Sequence, residues 1–507
     1  MFLRRCKPEE GLGNPVDNPC LEDGKDLLKL ADRLSDLTPS PDYGLDGWRE
    51  QLTTLLADPE LESLSGEHRL EELSLEFRRI WGLVAHSTVN HQLKSPASGR
   101  NVTFPFSNSI QFVYERVLTP AHIERRLEKS LPTVSSWESR FSVFSSGMAA
   151  ILTALKTLHY FRMSYRRADE KSLRLDWFGG YYETLKLILL LHTTDIYSHH
   201  VRRFNSVLER LRSGKTDILF LEPLLYDWTQ TVADPMALIE ALTDRPEDRP
   251  WILIIDSTLL GCEFDLELFL TACGSHRPVL ALDIRSGLKL DQSGLEFSNV
   301  GLVKICTHQD LQQPRYPTAE QFHSRMEINR SILGTALSLD EMAVLDLPVL
   351  FHPMWTQNHS RKVFDNNRRL AFALEGIEGI FARVNHPGLG PNKHLNWAES
   401  PLVVLEFHRH EDQKEHHALL LQVIAQESQA RNLIFYQGAS FGFRHHRCEV
   451  VVSENTFPHK NGQLRGFFKI AAGSRRGPSL EGIILLLQEL AAYPSFQALR
   501  QAYPQLG

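Results

Sequence analysis

Four short apolar runs, separated by segments with helical spacing, dominate the hydrophobic pattern in the middle of the chain. They are DILFLEP at 217–223, WILIIDST at 251–258, PVLALDI at 278–284 and VGLVKIC at 300–306. None of them alternates between apolar and polar positions. Strands that are buried on both faces have this pattern, and the intervening helices favour a mainly parallel sheet covered on each side. We therefore predict an α/β layer that binds its ligands at the carboxyl ends of the strands.

The flanking regions have different patterns. Between Glu67 and His86 the apolar positions recur at helical spacing, which predicts one amphipathic helix. Residues 1 to about 25 are rich in Gly, Pro, Asn and charge, so we expect a loose arm there. After an irregular stretch at 340–400, the sequence predicts strands at 401–407 and 465–473 and helices near 414–431 and 480–493.

These patterns divide the chain into three predicted parts. We expect an N-terminal arm and helical extension at 1–104, a large domain at 105–345 and a smaller C-terminal α/β domain at 346–507. A chain of 507 residues that is 42% hydrophobic and 23% charged can bury large cores. This composition excludes a mainly disordered protein.

Composition and charge narrow the classes of function. A net charge of -7 and a pI near 6.3 give no basic field for nucleic acid, and no apolar run is long enough for a membrane span. The first residues make a poor signal peptide, so we expect a cytoplasmic protein with free cysteines. Four histidines cluster at 407–417, but their spacing fits no known set of ligands, and we expect no metal.

Polar residues that could take part in catalysis or ligand binding follow the predicted buried strands. Asp256 ends one strand, where an ionised carboxylate requires either a structural Arg or Lys or a cationic ligand. Lys289 follows the next strand, three positions after Ser286. Upstream, Ser146 and Gly147 precede a helical run, where they indicate either an ordinary helix cap or a phosphate site. A phosphate cradle, a carboxylate and an imine-forming lysine are together what pyridoxal phosphate requires.

The order of these motifs resembles the Cys/Met metabolism family of pyridoxal-phosphate enzymes, the fold type I group of cystathionine γ-synthase, cystathionine lyases and methionine γ-lyase. Its motifs are matched by Tyr114-Glu115-Arg116, Ser146-Gly147-Met148-Ala149, Phe178-Gly179-Gly180, Asp256-Ser257-Thr258 and Ser286 to Lys289. The similarity covers roughly 105–310 and, more faintly, 430–495. It implies a large domain with a mainly parallel seven-stranded sheet between helices, followed by a smaller α/β domain.

The resemblance also implies a role for each matched position. Lys289 would form an imine with the cofactor and then shuttle protons, Asp256 would keep the ring nitrogen protonated, and Phe178 would stack on the ring. Contacts to the rest of the cofactor would come from Ser146, Gly147, Met148, Thr258 and Ser286, and across a subunit boundary from Tyr114 and Arg116. We therefore expect a homodimer or homotetramer with shared active sites.

Several positions depart from the family pattern. Phe178 stands where the family usually has tyrosine, so Tyr181 or Tyr182 would protonate the leaving group unless that group needs little help. Leu288 replaces a threonine, and the segment 224–226 lacks the asparagine that usually lies near the cofactor's O3′.

The sequence indicates the binding site for the substrate α-carboxylate less clearly than the cofactor site. The family's arginine on a late strand is replaced by Lys469, which is a poorer bidentate clamp. Arg444 or Arg465 would take over, and Ser440 aligns with the family's turn beside the carboxylate. Each of these residues is equally consistent with an ordinary surface position.

The sequence thus predicts an enzyme that binds pyridoxal phosphate and an amino-acid substrate. The expected reaction is γ-elimination or γ-replacement, with deprotonation at Cα, then at Cβ, and loss or exchange of a Cγ substituent. The altered pocket suggests specialised, natural-product amino-acid biosynthesis. Two alternatives remain open: an aminotransferase or β-lyase with the same fold, and a non-catalytic homologue that binds pyridoxal phosphate.

Overall fold

The computed structural model describes residues 18–36, 43–96, 99–130, 136–165, 172–193, 195–246, 249–311, 315–389, 399–452 and 466–506. Arg465 and the first part of the predicted arm lie outside these ranges. The N-terminal region contains the helices α1 (Pro19–Asp32), α2 (Leu45–Leu56) and α3 (Leu64–Val89). A two-stranded antiparallel sheet of β1 (Arg100–Thr103) and β2 (Ser109–Phe112) follows them.

Helix α3 confirms the predicted amphipathic helix and extends it in both directions. Its N-terminus is capped by Ser63, whose hydroxyl accepts a hydrogen bond from the Gly66 amide at 3.1 Å. The apolar face buries Phe77 and Trp81 against α1, α2 and the segment near 340. The prediction of a loose arm is wrong from Pro19 onward, because α1 begins there and buries Cys20, Asp23 and Gly24.

A seven-stranded sheet forms the centre of the molecule. Its strands are β3 (Trp137–Phe144), β4 (Leu173–Phe178), β5 (Ile196–His200), β6 (Ile218–Leu221), β7 (Ile252–Asp256), β8 (Leu280–Ser286) and β9 (Gly301–His308). The strand order is β3-β9-β8-β7-β6-β4-β5. Neighbouring strands run parallel from β8 through β5, whereas β9 is antiparallel to both of its neighbours. The predicted mainly parallel sheet is therefore confirmed.

Helices accompany this sheet along the chain. They are α4 (Ala121–Ser130), α5 (Gly147–Tyr165), α6 (Tyr182–Leu190), α7 (Phe204–Arg212), α8 (Pro235–Thr243), α9 (Leu266–Ala272), α10 (Ala319–Leu333) and α11 (Leu339–Val344). Separate apolar clusters that share strands of this sheet include α5 and α10 in one case and α7, α8 and α9 in the other. The central strands are buried throughout their apolar positions, as their continuous apolar runs predict.

The C-terminal part contains a second sheet of five strands. They are β10 (Phe381–Asn385), β11 (Val403–Phe407), β12 (Phe435–Gln437), β13 (His446–Val452) and β14 (Gly466–Ala471), in the order β10-β11-β14-β13-β12. The accompanying helices are α12 (Pro353–Ala373), α13 (Lys414–Ala430), α14 (Pro478–Ala491) and α15 (Phe496–Ala502). Together they enclose a separate apolar cluster.

Among the described residues, no individual helix combines the length and the apolar character that crossing a membrane requires. The sharply bent pair of α14 and α15 meets that test only when its two helices are counted together.

Candidate active site

The carboxyl ends of β7 and β8 meet the N-terminus of α5. The amide of Ser286, at the end of β8, donates a hydrogen bond to the hydroxyl of Thr258 at 3.0 Å. Gly147 begins α5 so close to this point that an added Cβ would lie 3.1 Å from the Cβ of Ser286. The absence of a side chain at Gly147 therefore lets the first turn of the helix approach two hydroxyl groups.

The first turn of α5 offers backbone N–H groups at this place. Ser146 caps the helix, because its hydroxyl accepts a hydrogen bond from the Ala149 amide at 3.1 Å. The amides of Gly147 and Met148 belong to the first turn, where a helix supplies no carbonyl partner. Ser146 is thus an ordinary helix cap, which is one of the two possibilities that the sequence left open. The amides of Gly147 and Met148 lie at the positive end of the helix dipole and are suited to binding an anion.

Lys289 lies in the turn that follows β8, and its ammonium group is largely shielded from solvent. Its Nζ donates a hydrogen bond to the hydroxyl of Ser440 and lies 5.8 Å from the ring centre of Phe441. Burial, with a smaller effect from the positive charge of Lys469, lowers the pKa of Lys289 to about 8. Such an amine is neutral far more often than a solvated lysine, which suits it to nucleophilic and proton-transfer chemistry.

Charged residues from four segments surround Lys289. Besides Lys469 on β14, they are Arg447 on β13, Glu296 after β8 and Glu183 on α6. The two cations lower the pKa of the lysine and the two acids raise it, and burial is the largest single cause of the shift.

Asp256 ends β7 without a basic partner among the described residues. Its carboxylate accepts a hydrogen bond from the Thr258 amide at 3.0 Å, and burial raises its pKa. We expected either a structural Arg or Lys or a cationic ligand beside this carboxylate. Among the described residues, no Arg or Lys pairs with it. A carboxylate in this setting favours a cationic or proton-sharing ligand.

Glu222 is a second buried acid near Asp256, and it is not among the site residues predicted from the sequence. Its carboxylate accepts hydrogen bonds from the amides of Gly180 at 2.8 Å and Tyr181 at 3.1 Å. Burial and the charge of Asp256 raise the pKa of Glu222 to about 8. A Cβ on Gly179 would lie only 2.5 Å from the Glu222 carboxylate, so the glycine pair after β4 allows this approach.

Phe178 lies at the end of β4 but is packed into the core. It is 1% exposed and contacts Phe204, with 5.5 Å between ring centres. Phe178 and Phe204 also line a cavity of about 880 Å³. The stacking of Phe178 on a ligand ring stays a prediction. Tyr181, in contrast, is only partly buried. Burial raises the pKa of its hydroxyl, with smaller contributions from Glu183 and Asp256.

Three tyrosines lie together after β4 and β6. Tyr181 donates a hydrogen bond to Glu183 at 2.6 Å, and Tyr182 donates to the same carboxylate at 3.3 Å. The ring of Tyr181 meets that of Tyr226 edge to face, with 5.6 Å between centres. Tyr226 belongs to the segment that replaces the family's asparagine, and burial raises its pKa.

Two of the cations proposed for the substrate carboxylate, Lys469 and Arg444, are paired with acids. Lys469 is fully buried, forms an ion pair with Glu449 and donates a hydrogen bond to Tyr226 at 3.2 Å. Arg444 is buried and donates to Asp23 at 2.5 Å, so it is a core residue rather than a surface charge. Arg465 lies outside the described residues.

Sequence reasoning missed Arg447, which lies beside the Ser440 turn. Its guanidinium donates hydrogen bonds to Glu296 at 3.0 Å and to the carbonyl of Ala439 at 3.2 Å. The sequence gives no signal for the contact with Glu296, because the two residues are 151 positions apart along the chain.

Tyr114 and Arg116 contact each other at the protein surface. Tyr114 is 40% exposed, and the guanidinium of Arg116 lies 5.5 Å from the centre of its ring. Their contact with the cofactor across a subunit boundary stays a prediction.

No protein-family model matches the chain, and a search of curated proteins finds no match. Its fold, in contrast, is similar to many solved structures. One is a cystathionine γ-lyase from yeast, with 16% identity and a TM-score of 0.53, covering 81% of this chain and 98% of that chain. A methionine γ-lyase from Micromonospora echinospora, with 16% identity and a TM-score of 0.51, covers 76% of this chain and 89% of that one.

A third similar structure is a putative O-acetylhomoserine (thiol)-lyase from Campylobacter jejuni. It has 17% identity and a TM-score of 0.51, and the similarity covers 80% of this chain and 89% of that chain. That protein carries a pyridoxyl-lysine monophosphate. The chain thus has the fold type I architecture of these lyases, a seven-stranded mainly parallel sheet between helices followed by a smaller α/β part, which confirms the predicted fold class.

Proposed function

We propose that the protein is a pyridoxal-phosphate enzyme that catalyses γ-elimination or γ-replacement on a γ-substituted amino acid. The observation that carries this proposal is the placement of Lys289 and Asp256 after adjacent strands. One is a shielded amine with a pKa of about 8, and the other is a buried carboxylate without a basic partner among the described residues. The similar lyase folds support the same class of chemistry.

The residues at this place fit the proposed cofactor. Its phosphate would bind the amides of Gly147 and Met148, with the hydroxyls of Ser286 and Thr258 beside them. Its pyridine nitrogen would receive the charge of Asp256. When bound, pyridoxal phosphate supplies an aldehyde for amino groups and a ring that delocalises a carbanion.

Lys289 would attach the cofactor and, once released by the substrate, move protons. A pKa of about 8 leaves roughly a tenth of the amine neutral at pH 7, several hundred times more than for an ordinary lysine. The neutral amine would remove the proton at Cα and return it to a neighbouring carbon. The hydroxyl of Ser440 holds the amine in position between these steps.

The tyrosines are the proposed acids for the leaving group. Tyr181 and Tyr182 share Glu183 as hydrogen-bond acceptor, which orients both hydroxyl groups. Burial and Glu183 raise the pKa of each tyrosine, so both keep their protons at neutral pH. They would donate a proton where the leaving group requires one.

The α-carboxylate of the substrate would be held by Lys469, Arg444 or Arg465, to which we add Arg447. Lys469 and Arg447 contribute to the electrostatic environment of Lys289, which makes them the nearer described cations. Each would exchange an acidic partner for the substrate. This unusual arrangement supports a specialised substrate, as in natural-product biosynthesis, and we propose a homodimer or homotetramer completed by Tyr114 and Arg116.

One observation favours a second candidate function. Because Lys469, Arg444 and Arg447 are all paired with carboxylates, the site offers no ready clamp for a substrate among these residues. A homologue that binds pyridoxal phosphate without catalysing a reaction accounts for this arrangement equally. An aminotransferase or β-lyase remains the alternative among enzymes.

The attachment of the cofactor is tested by incubating the purified protein with pyridoxal phosphate, reducing it with borohydride and mapping the modified peptide. We expect modification at Lys289, its loss in Lys289→Ala, and its retention in the control Lys186→Ala, which removes a lysine on α6. Modification at another lysine in Lys289→Ala would show that our assignment is wrong.

The type of reaction is tested in heavy water with a series of γ-substituted amino acids. We expect exchange of hydrogens at both Cα and Cβ, together with release or replacement of the γ-substituent. Exchange at Cα alone, with loss of a β-substituent or return of the cofactor by a keto acid, would indicate a β-lyase or an aminotransferase. A bound cofactor without any exchange would favour the non-catalytic homologue.

A further inference from the structure

The turn that contacts Lys289 has a strained backbone. Ser440, which accepts the hydrogen bond from Lys289, has a φ of 80°, a conformation that residues other than glycine rarely adopt. Such conformations persist only where the surrounding structure holds them in place. Arg447 contacts the carbonyl of Ala439 and His359 contacts that of Gly442, and the N-terminal helices reach the same turn through the residues that follow it.

One set of contacts reaches the turn from α3. Glu71, which is buried, accepts a hydrogen bond from His445 Nδ1 at 3.0 Å. The other ring nitrogen of His445 accepts from Arg447 Nε at 2.8 Å, and Arg447 donates to the carbonyl of Ala439 at 3.2 Å. Ala439 immediately precedes Ser440, so a chain of three hydrogen bonds joins α3 to the strained residue.

A second set reaches the turn from α1. Asp23, which is buried, accepts hydrogen bonds from Arg444 at 2.5 Å and from Arg475 at 2.9 Å. Arg444 follows Gly442 by two residues, and Gly442 approaches the backbone of Lys289 so closely that an added Cβ would lie 2.2 Å from the carbonyl oxygen. This set therefore holds the far end of the same turn against the segment that carries the lysine.

Arg475 joins the two sets. Besides Asp23, its guanidinium donates to Glu71 at 2.6 Å. Burial alone would raise the pKa of both acids, but Arg444 and Arg475 lower that of Asp23, and Arg475 and His445 lower that of Glu71. Both carboxylates are thus ionised at neutral pH, and breaking either contact would leave a buried guanidinium short of a partner.

We propose that Asp23 and Glu71, on the N-terminal helices, are positioning residues that hold the strained Ser440 turn against Lys289. The inference rests on the proposed function in treating Lys289 as the reactive lysine. It assigns the N-terminal helices a part in shaping the site, although they supply no residue that touches the reacting atoms. Loss of either contact would let the turn relax and admit water to the amine.

The proposal is tested by measuring the reactivity of Lys289 without pyridoxal phosphate. The full-length protein is reductively methylated with formaldehyde and cyanoborohydride from about pH 6 to about pH 10, and the rate at Lys289 is followed by peptide mass analysis. The variants are Asp23→Asn and Glu71→Gln. Asp26→Asn is the matched control, because Asp26 also lies on α1 but pairs with Lys29 and with Lys362 on α12.

We expect the midpoint of the pH profile to rise by about one unit in both variants and to stay near that of the unaltered protein in Asp26→Asn. The direction is diagnostic. Removing an acid while the turn stays in place makes the surroundings of Lys289 more positive, which lowers the midpoint. A lowered or unchanged midpoint in a folded variant would overturn the proposal.

Two further features keep the test decisive. If Asp23→Asn fails to fold, Glu71→Gln decides the question alone, because glutamine keeps the size of the side chain but has one acceptor oxygen where Arg475 and His445 each use one, so one of the two contacts is lost. Cofactor attachment is measured separately by borohydride trapping. If the midpoint shifts as expected while Lys289 does not trap pyridoxal phosphate, the proposed function fails and the positioning role stands.

Discussion

Gly147→Ala separates the demands of folding from those of phosphate binding at the start of α5. An added Cβ would lie 3.1 Å from the Cβ and 3.4 Å from the Cα of Ser286, so one of the two segments must move by a few tenths of an ångström. Such overpacking costs about 1–3 kcal/mol, whereas alanine gains up to about 1 kcal/mol over glycine in a helix. We therefore expect a stability loss of about 1 kcal/mol.

The effect on the proposed cofactor should be larger than the effect on stability. A shift of the first turn weakens hydrogen bonds to a charged phosphate, and one such bond contributes about 1.5–3 kcal/mol. The expected loss is therefore about 10- to 100-fold in affinity for pyridoxal phosphate. Pyridoxal, which has no phosphate, should bind equally to the variant and the unaltered protein.

Absorbance titrations with the two aldehydes measure these affinities, and thermal denaturation measures stability. Gly82→Ala is the matched control, because Gly82 lies within α3 and its added Cβ would meet nothing within 4 Å. That variant should gain up to about 1 kcal/mol and bind both aldehydes normally. If Gly147→Ala loses affinity for both aldehydes equally, or for neither, the phosphate does not bind at this helix end.

Three further predictions concern Ser440, Lys289 and Glu222. Ser440→Gly should raise stability by about 1 kcal/mol in denaturant unfolding, because glycine adopts a φ of 80° without strain, while it removes the contact with Lys289. Attachment of pyridoxal phosphate to Lys289 should accelerate as pH rises, with a midpoint near the pKa of about 8, and a midpoint above 10 would indicate a solvated lysine. Glu222 has a raised pKa of about 8, so the folded protein binds more protons than the unfolded chain above the ordinary glutamate range. Its contribution to stability should therefore fall as pH rises from about 4.5 to about 8, and Glu222→Gln should reduce that slope in denaturation measured across this range.

The central sheet could be predicted because strands buried on both faces have continuous apolar sequences. The apolar runs of β7 and β8 are enough to predict that Asp256 ends one strand and that Lys289 closely follows the next. The antiparallel direction of β9 could not be predicted, because its apolar run looks like those of its parallel neighbours.

The surroundings of the basic residues could not be predicted for a different reason. Lys469 meets Glu449 because β13 and β14 pair in one register, which is a property of the folded sheet. Arg444 is held by Asp23, which lies in a charged stretch that resembles a solvated arm. Pairings over such distances leave no mark in local sequence, whereas the strand ends do.

The bond between Asp23 and its two arginines also constrains the order of assembly during translation. Arg444 and Arg475 follow Asp23 by 421 and 452 residues, so α1 leaves the ribosome long before its buried partners are made. The central sheet can fold earlier around Lys289. Under the proposed role of Asp23, the lysine acquires its final shielding only when these distant segments meet, and a chain truncated before Arg444 would lack the contacts that hold the Ser440 turn against the amine.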